Sequence, residues 1–365
     1  MTKELTNLCK ERRQARQKFL KTPTSLTQRE HYKSLNKEVK RQVKMTRREN
    51  LEEKIAKMEA DFRQNNSHNL FKAVRELEGR PKKSLSAVKN KSGIKCTQKA
   101  EVLKCWKEHF EEHLNTAFPR QPQALADITP PPEQIENTLE ISLEETRKAV
   151  AQMKLRKSPG IDSITTEQLK AGGESMIAML HKISCMVMKQ KRTPKDWSKM
   201  IVSPIHKKGD KLNPANYRAL SLLSIPGKVF SKILLNKIQE QTESFLGETQ
   251  YGFRPGRGTT DAIFIARQII EKARERNIPL HFHFIDFKAA FDTIWREALW
   301  RMMKAIGIHN DIVETIKFMY DQIECAVMID SHLTEWFPVA GGVRQGCLLS
   351  PTLFDIFLEF VIDEL

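Results

Sequence analysis

The chain has 365 residues, of which 61 are Lys or Arg and 45 are Asp or Glu, for a formal net charge of +16. Residues 1–100 hold 27 basic and 11 acidic side chains, and residues 101–365 hold 34 of each, so the whole excess lies in the first 100 residues. A basic arm joined to a neutral body points to a polyanionic partner for the arm, most often nucleic acid. With 40% apolar and 29% charged residues, the composition is that of a globular chain rather than a disordered one. No apolar run approaches the roughly 18 residues that a membrane helix needs. The first 20 residues have no apolar signal core, so a nuclear or cytoplasmic location is expected and secretion is not. The six cysteines form no CxxC pair, which argues against a disulfide framework and a zinc knuckle and fits a reducing compartment.

In chain order, residues 1–80 read as helices, since the first glycine is Gly79 and the only proline is Pro23. Thr24 to Thr27 looks like a helix start, and Leu51, Ile55, Met58 and Phe62 recur at helical spacing on a narrow stripe. The other faces carry Lys and Arg, either as a solvated hairpin or as a surface for phosphate backbone. Residues 101–117 form a further helix with Leu103, Trp106, Phe110 and Leu114 on one stripe, and the proline-rich 118–135 reads as a linker. From residue 136 the pattern is mixed. A helix over 144–155 stops at Ser158-Pro159-Gly160. A strand at 200–205 leads into the turn Lys207 to Asp210, and an amphipathic helix covers 229–240. A strand is expected at 281–287, followed by a helix that Gly307 ends. A hairpin is expected over 323–339 with its turn at Asp330-Ser331.

The segment His281 to Phe287 is the most informative for chemistry. At period two, Phe282, Phe284 and Asp286 share one face. A carboxylate ending so apolar a strand needs a cation, hydrogen bonds or water. It could cap the following helix or hold a divalent metal ion. Asp292 reads as a helix cap.

Ile285-Asp286-Phe287-Lys288-Ala289-Ala290-Phe291-Asp292 resembles the first catalytic palm motif of non-LTR (LINE-type) retrotransposon reverse transcriptases. Gly342-Val343-Arg344-Gln345-Gly346-Cys347-Leu348-Leu349-Ser350-Pro351 resembles the next one. Upstream, Lys157 to Asp162, Pro204 to Asp210 with Tyr217-Arg218, and Gln250 to Arg257 match further motifs in the right order. Gly342 to Pro351 favours this class over the group II intron type.

The resemblance implies an α+β fold, a partial right-hand polymerase with fingers and an incomplete palm (136–365). A basic helical connector (1–117) and the linker (118–135) precede it. The implied activity is RNA-templated DNA synthesis by two-metal nucleotidyl transfer, with Mg²⁺ as cofactor and an RNA template, a DNA primer and deoxynucleoside triphosphates as partners. Asp286 is the implied catalytic metal ligand, assisted by the backbone carbonyl of Phe287. Phe291 would exclude a ribose 2′-OH, although a Phe there also suits ordinary core packing. Lys207, Lys208 and Arg218 would hold the triphosphate, Arg as a fork and Lys as a point charge. Gln345 and Gly346 would lie against the nucleotide and template.

The same family needs two further aspartates in an Ala-Asp-Asp hairpin, and no Asp-Asp pair occurs in these 365 residues. One carboxylate cannot hold two metals, so these residues alone are expected not to polymerise. Leu353, Phe354, Phe357, Leu358, Val361 and Ile362 make a wide apolar helical face that would pack on later palm elements. The rival expectation is a non-enzymatic nucleic-acid-binding remnant whose working part is the basic arm.

Overall fold

A computed structural model describes residues 3–23, 25–63, 87–116, 122–126 and 139–363, with the isolated positions 69, 73, 74 and 128. The chain divides into two compact units, 1–84 and 85–365.

The first unit is a helical hairpin of α1 (Lys3–Lys21) and α2 (Leu26–Arg63). Its apolar contact is thin. Leu5, Ala15 and Val39 are buried, and the Phe19 ring stacks on Tyr32 at 6.1 Å. The expected stripe on α2 is helical; among the described residues Leu51, Ile55 and Phe62 are exposed and Met58 is half-buried.

In the second unit a short hairpin, β1 (Val88–Lys89) and β2 (Lys95–Cys96), leads into α3 (Lys99–Leu114). This helix buries Val102, Trp106, Phe110 and Leu114, and the Trp106 ring meets Tyr217 edge-on at 4.9 Å. The division between units therefore falls at 84/85, upstream of the helix that the sequence assigned to the connector. Most of the proline-rich 118–135 lies outside the described residues. Within it, Pro122–Leu125 forms a 3-10 turn whose Leu125 carbonyl accepts from Arg301 at 2.9 Å.

Two helices, α4 (Leu143–Gln152) and α5 (Thr166–Ala171), start with capping boxes, Ser142 with Glu145 and Thr165 with Gln168. They precede α6 (Gly173–Gln190) and the single turn α7 (Lys195–Ser198). The sheet follows. β3 (Lys199–His206) pairs antiparallel with β4 (Tyr217–Leu222) and parallel with β5 (Glu324–Ile329). β6 (His332–Leu333) and β7 (Phe337–Pro338) add to β5. Asp330 and Ser331, at φ 46° and 68°, make the tight β5–β6 turn expected there.

The core lies around α8 (Ile225–Phe245), where Val229, Phe230, Ile233, Leu234 and Ile238 are almost fully buried. Each such side chain contributes about 1.5–3 kcal/mol relative to exposure. Ser224 starts this helix, its hydroxyl accepting from Gly227 N–H at 3.2 Å and donating to the Asp162 carboxylate at 2.6 Å. After α9 (Thr259–Glu275), the helices α10 (Arg296–Ala305), α11 (Asn310–Asp321) and α12 (Ser350–Asp363) complete the unit.

One sequence expectation is corrected. Residues 281–287 are not a strand; they run without a ladder, and Phe284 and Ile285 are 91% and 75% exposed. A strand needs a neighbour for its backbone N–H and C=O groups, and none of the described strands lies beside this segment. Helix α9 likewise buries none of its residues, so Ile263, Phe264 and Ile269 remain exposed.

Candidate active site

The β3–β4 hairpin and its tip carry the first group of candidate residues. Lys207 and Lys208 are exposed in the turn, which Lys207 N–H closes on Asn216 O at 2.8 Å. Gly209 takes φ +81°, a conformation that favours glycine. Asp210 fastens the far side. Its carboxylate accepts from Leu212 N–H at 2.9 Å and from the Lys89 ammonium at 2.8 Å. Lys89 and the Leu212 amide lower the pKa of that carboxylate. Because Lys89 takes this carboxylate, Lys207 and Lys208 keep their charge facing solvent. Arg218, exposed on β4, stands opposite Ile205 in the ladder.

Two backbone approaches bring the second group onto this hairpin. Ser221 N–H donates to Gln345 O at 3.2 Å, and a Cβ on Gly346 would lie 2.7 Å from Ser221 O. With φ at +113°, Gly346 is suited to this position on both counts. Four residues earlier the same loop rests on the 289–293 turn. Val343 N–H donates to Phe291 O at 2.7 Å, and a Cβ on Gly342 would come within 2.5 Å of that oxygen. Protein backbone thus packs closely on this loop at both Gly342 and Gly346.

Phe291 is half-buried. Its ring lies 5.4 Å from Phe354 and 6.1 Å from Phe253, and Phe287 meets Phe354 at 6.4 Å. Three segments distant in sequence therefore meet in one aromatic cluster. Phe253 joins it at φ +56°, a strained backbone for a bulky residue. Asp292 does not cap a helix; α10 begins only at Arg296, with Trp295 before it. Instead its N–H donates to Ala289 O at 2.8 Å, and its carboxylate lies 3.4 Å from His113 Nε2 on α3. The hydrogen bond and charge of Asp292 raise the His113 pKa, opposed by burial and by Lys288.

Several residues that fix this site escaped the sequence reading. Arg296 donates to Gly342 O and Gly341 O, both at 2.7 Å, and to Tyr320 O at 3.0 Å, so one guanidinium ties the glycine loop to α11. Arg344 is buried, donates to Trp197 O at 3.0 Å and stacks 4.9 Å from the Tyr320 ring. Asn115 holds the strand end at 338–340, donating to Pro338 O at 2.9 Å and accepting from Ala340 N–H at 2.8 Å. Only Arg344 carried a signal, as the lone charge inside a glycine-flanked segment.

The upstream matched segments act as supports. A Cβ on Gly160 would lie 2.4 Å from Ser224 N. Arg254 is buried and donates to Glu243 Oε1 and Gly247 O, both at 2.7 Å. Gln250 donates to Asp355 on α12 at 3.0 Å, and Gly247 N–H donates to Glu359 at 2.8 Å. Burial, with the charge of Glu359 adding to it, pushes Asp355 up to about 7.

Asp286 and Phe287 lie on the exposed 281–287 segment, and the Phe287 ring reaches the aromatic cluster at Phe354. Among the described residues no three His, Cys, Asp or Glu side chains group to hold a metal ion. A two-metal centre needs several carboxylate donors grouped together, and the described residues do not group Asp286 into such a set.

Residues 205–365 match the family described as reverse transcriptase (RNA-dependent DNA polymerase). Over 319 residues the chain is 27% identical to the "Probable RNA-directed DNA polymerase from transposon BS" of Drosophila melanogaster, covering 84% of this chain and 34% of that protein. It is 25% identical over 305 residues to the "RNA-directed DNA polymerase from mobile element jockey" of the same species, covering 80% and 32%. It is 30% identical over 219 residues to the "Transposon TX1 uncharacterized 149 kDa protein" of Xenopus laevis, covering 60% and 17%. The chain thus spans about a third or less of the length of these relatives. Residues 205–365 thus match the reverse transcriptase family, and the chain is similar to the RNA-directed DNA polymerases of non-LTR retrotransposons.

Proposed function

We propose that this chain supplies the fingers and first part of the palm to an RNA-directed DNA polymerase that copies an RNA template onto a DNA primer. The observation that carries the reading is the Val343 N–H to Phe291 O bond of 2.7 Å, which joins the two palm motifs. In this reading Lys207, Lys208 and Arg218 grip the triphosphate, Phe291 sits under the sugar, and Gln345-Gly346 lies along the nucleotide and template. A half-buried Phe backed by Phe354 is a stiff floor that a ribose 2′-OH would strike. The polymerases of this family work with divalent metal ions, Mg²⁺ being the one proposed here. Asp286 with the Phe287 carbonyl supplies one set of oxygen donors, so these 365 residues by themselves do not carry out the transfer. Primer extension on a poly(rA)/oligo(dT) duplex tests this. No incorporation is expected, and incorporation abolished by Asp286→Ala would overturn it.

A second reading rests on the α1–α2 hairpin. Residues 3–48 carry 15 Lys and Arg against four Asp and Glu. Lys33, Lys37, Lys40 and Lys44 are exposed at helical spacing on α2. Such a stripe suits nucleic-acid backbone, whether or not the palm is competent.

A further inference from the structure

The thiols of Cys96 on β2 and Cys105 on α3 lie 3.8 Å apart, in van der Waals contact. Cys96 is buried and Cys105 is half-buried. We propose that this pair is an oxidation site, closing to a reversible disulfide that fastens the β1–β2 hairpin to α3 and so stiffens the 207–212 turn.

The connection runs through the hairpin. β1 faces β2 in register, with Val88 opposite Cys96 and Lys89 opposite Lys95. Lys89 then reaches the fingers turn twice. Its N–H donates to Leu212 O at 2.7 Å, and its ammonium pairs with Asp210 at 2.8 Å. On the other side the hairpin is held to α3 by the exposed Lys91–Glu112 pair at 2.7 Å, which solvent screens. A covalent bond between β2 and α3 would replace that weak tether. It would hold Lys89, and with it Asp210, to a helix anchored in the core by Trp106 and Phe110.

The chemistry balances with a peroxide as oxidant. One thiolate attacks a peroxide oxygen, giving a sulfenic acid and hydroxide. The second thiolate attacks that sulfur and expels another hydroxide. Two thiols lose two electrons and two protons, and hydrogen peroxide becomes two waters. Burial and the neighbouring Cys96 push the Cys105 pKa up to about 11, so its thiolate is scarce near neutrality. Closure through Cys105 is therefore slow at pH 7 and gains about tenfold for each pH unit, because the thiolate is the reacting form. The site responds to sustained oxidation rather than to a brief pulse.

The oxidation site and its effect on the 207–212 turn do not depend on the polymerase reading. The test treats the full chain with hydrogen peroxide at pH 7 and pH 9, blocks free thiols by alkylation, and maps peptides by mass spectrometry. The expected product is a peptide linked between Cys96 and Cys105, formed faster at pH 9, reversed by dithiothreitol and absent in Cys105→Ser. Amide exchange of residues 207–212 should slow severalfold on oxidation, with no such change in Cys105→Ser. Separate sulfinic acids, or a link to any other cysteine, would overturn the site. A correct link with unchanged exchange at 207–212 would overturn the coupling.

Discussion

At the scale of single residues, the site depends on places where no side chain fits. Gly342 has φ +61°, and a Cβ there would meet Phe291 O at 2.5 Å and Asp292 Cα at 2.6 Å. Gly342→Ala adds backbone strain and a clash with backbone that cannot swing away, so a loss of roughly 2–4 kcal/mol is expected. Denaturant unfolding of the two proteins checks this, and equal midpoints would contradict it. His113 gives a pH-dependent counterpart. Asp292 raises its folded-state pKa, so the pair stabilises fully below the unfolded value near 6.5 and is lost as pH rises through the raised value. His113→Gln should therefore cost more stability at pH 6 than at pH 8.5. The pair is partly exposed, which limits the difference to about 1 kcal/mol or less. His109 works in the opposite direction. Burial and His113 lower its pKa to about 4, so its contribution is present above 6.5 and fades in acid. The variant and the parent must accordingly be compared at each pH rather than by the parent's profile alone.

At the scale of elements, the helices and the β3–β4 hairpin were largely legible. Apolar spacing marked the helix with Trp106 and Phe110 and the middle of α8 over 229–240, while the start of α8 at Ser224-Ile225-Pro226 was not read. Lys207 to Asp210 was readable as a turn for the same local reasons. Two things were not local. The 281–287 segment has strand composition, but a strand exists through its neighbour, and the described residues give it none. Asp292 has the look of a cap, yet its partner is a histidine about 180 positions away. Period and propensity report on the neighbours along the chain, whereas this ion pair is set by how α3 docks.

The contact of α12 with the 247–257 loop belongs to the same scale. Asp355 is buried, and its raised pKa near 7 means that the fold favours the protonated acid. Stability from this group is present below the unfolded value near 3.9 and is lost as pH rises toward 7. Asp355→Asn keeps an oxygen for Gln250 and removes the buried charge. It should melt higher than the parent at pH 8, with the gap shrinking toward pH 5. A variant that melts lower at pH 8 would contradict the assignment.

At the scale of the whole molecule, the charge divides by unit. The excess lies in the first 100 residues, mostly on the hairpin of the first unit, while residues 205–365, which match the reverse transcriptase family, lie in a stretch with balanced charge. If the hairpin meets nucleic-acid backbone, the affinity of the full chain falls steeply with salt. Replacing Lys37, Lys40 and Lys44 together by Ala should then weaken binding of any sequence and reduce the salt slope by about three. Binding that keeps its slope in the triple variant would assign the contact elsewhere.

The triphosphate site proposed for this chain lies at the β3–β4 turn and the glycine loop that packs on β4. Photolabelling the full chain with an azido-deoxynucleoside triphosphate, in the presence of a poly(rA)/oligo(dT) duplex, tests it directly without requiring turnover. The label should map to peptides spanning 205–218, be displaced by unmodified deoxynucleoside triphosphate, and drop several-fold in Arg218→Ala and in Lys207→Ala with Lys208→Ala. A label that is not displaced, or that maps to residues 1–63 and is indifferent to these substitutions, would contradict the account.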